Sequence, residues 1–199
     1  MRIRPARSFA IATAAAAALV GAALAQTMTA PDADTSTARA EAKTLIKAFA
    51  TRLQGELKSA LQEGGPTAAV HVCKEEAPAI AADLSAQSGW QVGRTSLKTR
   101  NPDNAPDAWE RQVLKQFEDR KAAGEPVDQL AYAAVVEQDG VKTYRFMKAI
   151  PTGEVCLACH GSDLAPDLVE TLDKAYPQDQ ARGFALGDIR GAFTLSEPL

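Results

Sequence analysis

Five residues toward the C-terminal end, Cys156-Leu157-Ala158-Cys159-His160, constrain this chain more than any other stretch. C-x-x-C-H is the attachment signature of c-type haem. Two thiols three residues apart stand on one turn, where each can add to a vinyl group of the macrocycle. The adjacent imidazole then lies under the iron and donates a ring nitrogen. A chain built this way must enclose a flat apolar disc as well as its own core. Four other readings stay open. They are a disulfide between Cys156 and Cys159 with His160 incidental, a thioredoxin-type redox pair, a zinc site that adds Cys73 to the three motif residues, and chance. A redox pair of that type follows a strand and opens a long helix, whereas Gly161 and Pro166 follow this motif closely. Zinc held by both Cys159 and its neighbour His160 would be cramped.

The N-terminal end agrees with haem attachment, which takes place outside the cytoplasm. Arg2, Arg4 and Arg7 precede an uncharged, Ala-rich run from Phe9 that closes on Ala23-Leu24-Ala25. That is the pattern of a cleaved secretory signal, here residues 1–25. Cleavage leaves 174 of the 199 residues, and loss of the three arginines leaves 19 basic against 25 acidic side chains, near −6. No later stretch is apolar enough to span a bilayer. The expectation is an exported acidic protein, periplasmic where the host has two membranes, with no membrane insertion after signal cleavage. In that oxidising compartment a bare Cys pair tends to close as a disulfide. The negative charge argues against nucleic acid as a partner. Three Cys are too few for a disulfide-stapled scaffold. A composition of 46% hydrophobic and 24% charged residues excludes collagen, low-complexity disorder and long coiled coil.

Residues 26–36 are polar and read as a flexible tail; residues 37–199 read as a single domain. Apolar residues at Ala38, Ala42, Leu45, Ile46, Phe49, Leu53, Leu57 and Leu61 form a helical stripe that Gly64-Gly65-Pro66 stops. A second helix, about 67–87, carries Ala69, Cys73, Ala77, Ile80 and Leu84 on one face, and Pro78 must kink or divide it. A strand is expected over 90–97. A helix opening at Pro106 ends near Gly124. A hairpin of 130–137 and 141–149 turns around Gln138-Asp139-Gly140. A short helix spans 166–176, and an alternating strand begins at Ile189. Helices and strands in this order predict an α+β domain with a mainly antiparallel sheet.

The sixth ligand of the iron is a separate question, with Cys73, His71, Met147 and Met28 as candidates. Cys73 and His71 are two residues apart, so on a helix they point about 200° apart. Cys73 shares the apolar stripe; His71 shares its side with Glu75 and Pro78. Met147 is the type of residue that fills a strand core. Haem propionates want cationic partners, for which Arg94, Lys98, Arg100 and Arg145 are candidates.

Several stretches resemble one family of exported, PAS-like c-type haem domains, described from a cyanobacterial haem protein and otherwise catalogued as a domain of unknown function. They are residues 69–78 (AVHVCKEEAP), 95–110 (TSLKTRNPDNAPDAWE), 156–160 and 187–193 (GDIRGAF). The resemblance covers about residues 45–195. It implies a small antiparallel PAS-like sheet preceded by long helices. It also implies one covalent haem c held by Cys156 and Cys159, with His160 as proximal and Cys73 as distal iron ligand.

Two function classes follow. The first is a redox or small-ligand (gas) sensor, in which a soft, releasable thiolate responds to iron oxidation state and protonation. With no output domain in the chain, a sensor needs a signalling partner protein. The alternative is a periplasmic electron-transfer cytochrome whose acidic surface docks a redox partner. A peroxidase-like enzyme would need an open distal site with an acid–base pair, and His71 is the only spare histidine, so no enzymatic activity is expected.

Overall fold

The computed structural model describes residues 27–29, 35–138 and 140–199. The expected signal segment, 1–25, lies outside the described residues.

The first long helix, α1 (Ser36–His71), contains its own break. Gly65 has φ 68° and ψ −164°, a conformation open to glycine and costly for other residues, and Pro66 follows it. The chain folds back there, and Arg52 of the outgoing arm pairs with Asp83 of the returning one at 2.9 Å. The returning arm passes through a π-helical turn, Val72–Glu76, into α2 (Ala77–Ser88). Pro78 explains the turn. In an α-helix its ring would press on the carbonyl four residues back. The wider turn relieves that clash, with the Ala77 N–H donating to the Val72 carbonyl instead. The division expected at Pro78 is therefore a π-turn just ahead of it.

The remaining elements are β1 (Thr27–Thr29), β2 (Gln91–Thr95), α3 (Ala108–Ala122), β3 (Ala131–Gln138), β4 (Val141–Pro151), α4 (Glu154–His160), α5 (Pro166–Ala175) and β5 (Ile189–Pro198). They form one antiparallel sheet in the order β1-β3-β4-β5-β2. The last strand lies beside β2, and the long helices precede the four strands β2 to β5, as the PAS-like α+β reading requires. Strand β1 corrects one expectation. Thr27–Thr29 falls in the stretch read as a flexible tail, yet it pairs with 135–137 of β3. Two β-branched threonines suit a strand, and the pairing covers an otherwise open sheet edge. Pro106 also falls outside α3, whose N-cap is Asp107 in a capping box with Glu110.

The sheet is packed on both faces, as its period of two dictates. Tyr144 and Phe146 of β4 turn toward Phe49, Ile80, Leu84 and Trp90. Met147 and Ala149 turn the other way, toward Trp109, Val113 and Phe117. A third, smaller cluster joins Val70 of α1 to Leu168, Leu172 and Tyr176, with Cys159 packed against it. It brings the Cys73 region of the helical arm against the haem motif. Among the described residues, no helix is long and apolar enough to cross a membrane.

Candidate functional site

Helix α4 is short and carries the whole motif. Gly153 caps it, and Gly161 ends it by donating to the Leu157 carbonyl at 2.9 Å. A Cβ at Gly161 would lie 2.6 Å from that oxygen, so only glycine closes the turn here. Cys156 and Cys159 share one face at i, i+3. Both are half-buried free thiols, as is Cys73. None of the residues of α4 is fully buried, so the helix offers its chemistry at a surface rather than in a core.

The His160 ring is oriented by its own chain. Nδ1 lies 2.7 Å from the Ala181 carbonyl, which can only accept, so Nδ1 carries the proton. Nε2 is left with its lone pair and accepts from Arg190 Nε at 3.2 Å. Burial, reinforced by the Arg190 and Arg100 charges, pushes the imidazole pKa down to about 3. The ring is therefore neutral, with Nδ1 tied to a carbonyl, the tautomer of many metal-ligating histidines, while Arg190 occupies the Nε2 lone pair. Phe184 stands edge-on to it, with ring centroids 6.1 Å apart.

Arg190 owes its place to an irregularity in β5. Ile150 pairs with Gly191 and Pro151 with Ile189, so Arg190 is the extra residue between them. Bulges re-aim side chains in this way. Its guanidinium also reaches Ser96 Oγ and the Lys98 carbonyl at 3.4 Å and lies over the Phe184 ring. Burial, with Arg100 and Arg94 nearby, lowers its pKa to about 10. Arg94 is half-buried with its guanidinium over the Phe49 ring. Burial lowers it too, and the charge of Cys73 opposes that shift. Arg190 and Arg100 thus both act on His160, and Arg94 and Arg100 both repel Arg190.

Cys73 stands on the π-turn, on the side facing this cluster. A thiolate there acts on Arg94, Arg190, Cys159 and Tyr176. Burial, and then Cys73, pushes the Tyr176 phenol up to about 12. Burial likewise raises the Cys159 thiol, against the Arg100 charge. The structure sets Cys73 near enough to Cys159 for its charge to raise that thiol. His71 is instead exposed and paired with Glu75 at 3.3 Å. Met147 is fully buried in the opposite core; the Met28 side chain lies outside what is described.

The propionate candidates separate in the same way. Arg145 is on the far face of the sheet, over Trp109 and paired with Asp107 and Glu110. Arg100 is committed to Asp179 and to two carbonyls. Lys98 is exposed, over the Phe184 ring. Arg94 remains. Arg190 is the residue that sequence reasoning missed, and only its place in the GDIRGAF stretch hinted at it.

Helix α4 spans seven residues and lies beside an antiparallel sheet, unlike the long helix that a thioredoxin-type pair opens. Among the described residues no three His, Cys, Asp or Glu side chains converge as a cation site.

The Tll0287-like family profile matches residues 15–198. The chain belongs to the Tll0287-like family. The crystal structure of the cyanobacterial haem protein Tll0287 superposes on it with a TM-score of 0.62 at 29% identity, covering 82% of this chain and 96% of that one. The Tll0287-like fold is thus shared nearly end to end with that haem protein. No curated protein matches the sequence.

Proposed function

We propose that this protein is an exported monohaem c-type haem protein that senses redox state or a small ligand. Cys156 and Cys159 would hold the haem by thioethers. His160 Nε2 would be its proximal donor and the Cys73 thiolate its distal donor. Arg94 and Arg190, which pair with no carboxylate among the described residues, supply cationic charge that a dianionic macrocycle would balance. Bound haem would provide a one-electron centre whose iron takes small diatomic ligands.

The sensor reading rests on the unequal holding of the two iron donors. His160 is fixed through Nδ1 to a backbone carbonyl. Cys73 sits on a π-turn, a rare segment that often marks functional positions. A thiolate also binds less firmly once protonated at Sγ. The proximal side is therefore built to stay and the distal side to let go. The alternative, an electron-transfer cytochrome, would keep both donors in place through a redox cycle.

Expression with haem-attachment machinery, followed by oxidised and reduced spectra of wild type and Cys73→Ala, tests this. Covalent haem, a low-spin oxidised spectrum that changes in Cys73→Ala, and CO binding by the reduced wild type are expected. Absence of covalent haem would overturn the cofactor. A reduced protein that stays six-coordinate and inert to CO would put electron transfer first.

A further inference from the structure

The loop after β2, from Thr95 to Asn101, is the most specific sequence signature beside the haem motif. It is built as a rigid arch. Thr95 Oγ1 donates to the Asn104 carbonyl at 3.1 Å, Ser96 Oγ donates to the Arg190 carbonyl at 2.9 Å, and the Thr99 carbonyl accepts from the Gln180 N–H at 2.8 Å. At its end Arg100 is buried, its side chain 7% exposed and that of its partner Asp179 2% exposed.

Arg100 Nη2 donates to the Cys159 carbonyl at 2.6 Å and to the Ala181 carbonyl at 3.1 Å. Its Nε donates to Asp179 Oδ1 at 3.2 Å. The same Asp179 oxygen accepts the Ala181 N–H at 2.8 Å, and Oδ2 accepts from Arg182 at 2.8 Å. The Ala181 peptide is thus gripped at its N–H by Asp179 and at its carbonyl by Arg100. That carbonyl is the one that holds His160 Nδ1. One ion pair therefore fixes both the end of the motif helix and the acceptor that orients the ligand ring.

We propose that Arg100 and Asp179 are positioning residues for His160, an ion pair that fixes the imidazole and sets the redox potential of the iron it would hold. The proposal rests on the haem reading above. The two members act on the ring with opposite sign. Arg100 brings positive charge that disfavours the ferric iron, and Asp179 brings negative charge that favours it. Outer partners of metal-bound histidines commonly change metal affinity tenfold or more.

The test is the midpoint potential and absorption spectrum of the full chain, matured with haem, for Asp179→Asn, Arg100→Gln and Arg100→Lys. Asp179→Asn should raise the potential and Arg100→Gln should lower it, each by roughly a tenfold change in ferric-to-ferrous preference, about 59 mV. Arg100→Lys keeps the charge and should return the potential most of the way. Arg145→Gln breaks another half-buried ion pair, on the far face of the sheet, and should lower stability without moving the potential. Where Arg100→Gln does not fold, the rise in Asp179→Asn measured against Arg100→Lys decides the matter. Variants that carry covalent haem at the wild-type potential, or that all shift the same way, would overturn the positioning role and leave the haem reading standing. A wild-type chain without covalent haem would overturn both.

Discussion

A methyl group has no room at Gly191. Its Cβ would lie 2.4 Å from the Thr95 carbonyl oxygen, where β5 passes the end of β2. Gly191→Ala should push the two strands apart and cost about 3 kcal/mol, read as a lower urea midpoint; an unchanged midpoint would show that the strands give way freely. Asp188 makes a different kind of contribution. Its carboxylate accepts from Lys121 at 2.7 Å, and that bond, helped by the Ala185 N–H, holds its pKa below the ordinary value. A group depressed in the folded state stabilises it above the unfolded pKa. That stabilisation disappears as pH falls through the folded one. The urea midpoint of wild type should therefore exceed that of Asp188→Asn above the ordinary carboxylate range and converge with it as pH falls below that range. A gap that persisted in acid would mean that the ion pair is not its source. At this scale the sequence is informative where the chemistry is local. Cys156, Cys159 and His160 are adjacent, and Cys73 is marked by its helical stripe. Arg190, Asp179 and the Ala181 carbonyl were not legible. Their roles depend on a strand bulge and on contacts 21 to 81 residues apart along the chain.

Helical periodicity located α1, α2, α3 and α5, because each buries a stripe with a 3.6-residue repeat. The π-turn escaped it. A five-residue widening between two helices leaves the apolar stripe almost unbroken, and Pro78 alone marks the place. Strand β1 was missed for another reason: three residues are too few to show an alternating pattern, and they pair only because β3 leaves an edge open. The π-turn carries a testable consequence. Pro78→Ala restores a backbone donor and removes the ring, so the turn should relax toward an α-helix. One residue of register is about 100° of rotation, which would swing Cys73 away from the arginine cluster. With haem on Cys156 and Cys159, Cys73 is the remaining thiol, and its maleimide labelling should accelerate in Pro78→Ala. Unchanged labelling would mean that packing around Ala77 and Ile80, and not the proline, dictates the turn. The capping box of α3 is a simpler case. Asp107→Ala removes the bond to the Glu110 N–H and should cost about 1 kcal/mol in a urea titration.

The three clusters of the molecule are unequal. The two faces of the sheet each bury a full set of large side chains, Phe49, Trp90, Tyr144 and Phe146 on one and Trp109, Phe117 and Met147 on the other. The segment from α4 through α5 to β5 rests on the smaller cluster of Val70, Leu168, Leu172 and Tyr176 and on the buried Arg100–Asp179 pair. Helix α4 buries nothing fully, and α5 has no side-chain cap. Arg94 and Arg190 have no carboxylate partner there among the described residues, and the thiols are half-buried, so an acidic, apolar group bound there would balance and cover them. If haem is that group, its covalent bonds and apolar area are what bind this segment to the sheet. Local stability then separates into two levels. A Cys156→Ala, Cys159→Ala double variant, unable to attach haem, should keep the sheet and its two cores. Amide exchange should accelerate across residues 154–186, while protection in β3, β4 and α3 holds. Equal loss everywhere would mean that the segment and the sheet form one cooperative unit. Equal protection with and without haem would mean that the contacts within the chain suffice alone.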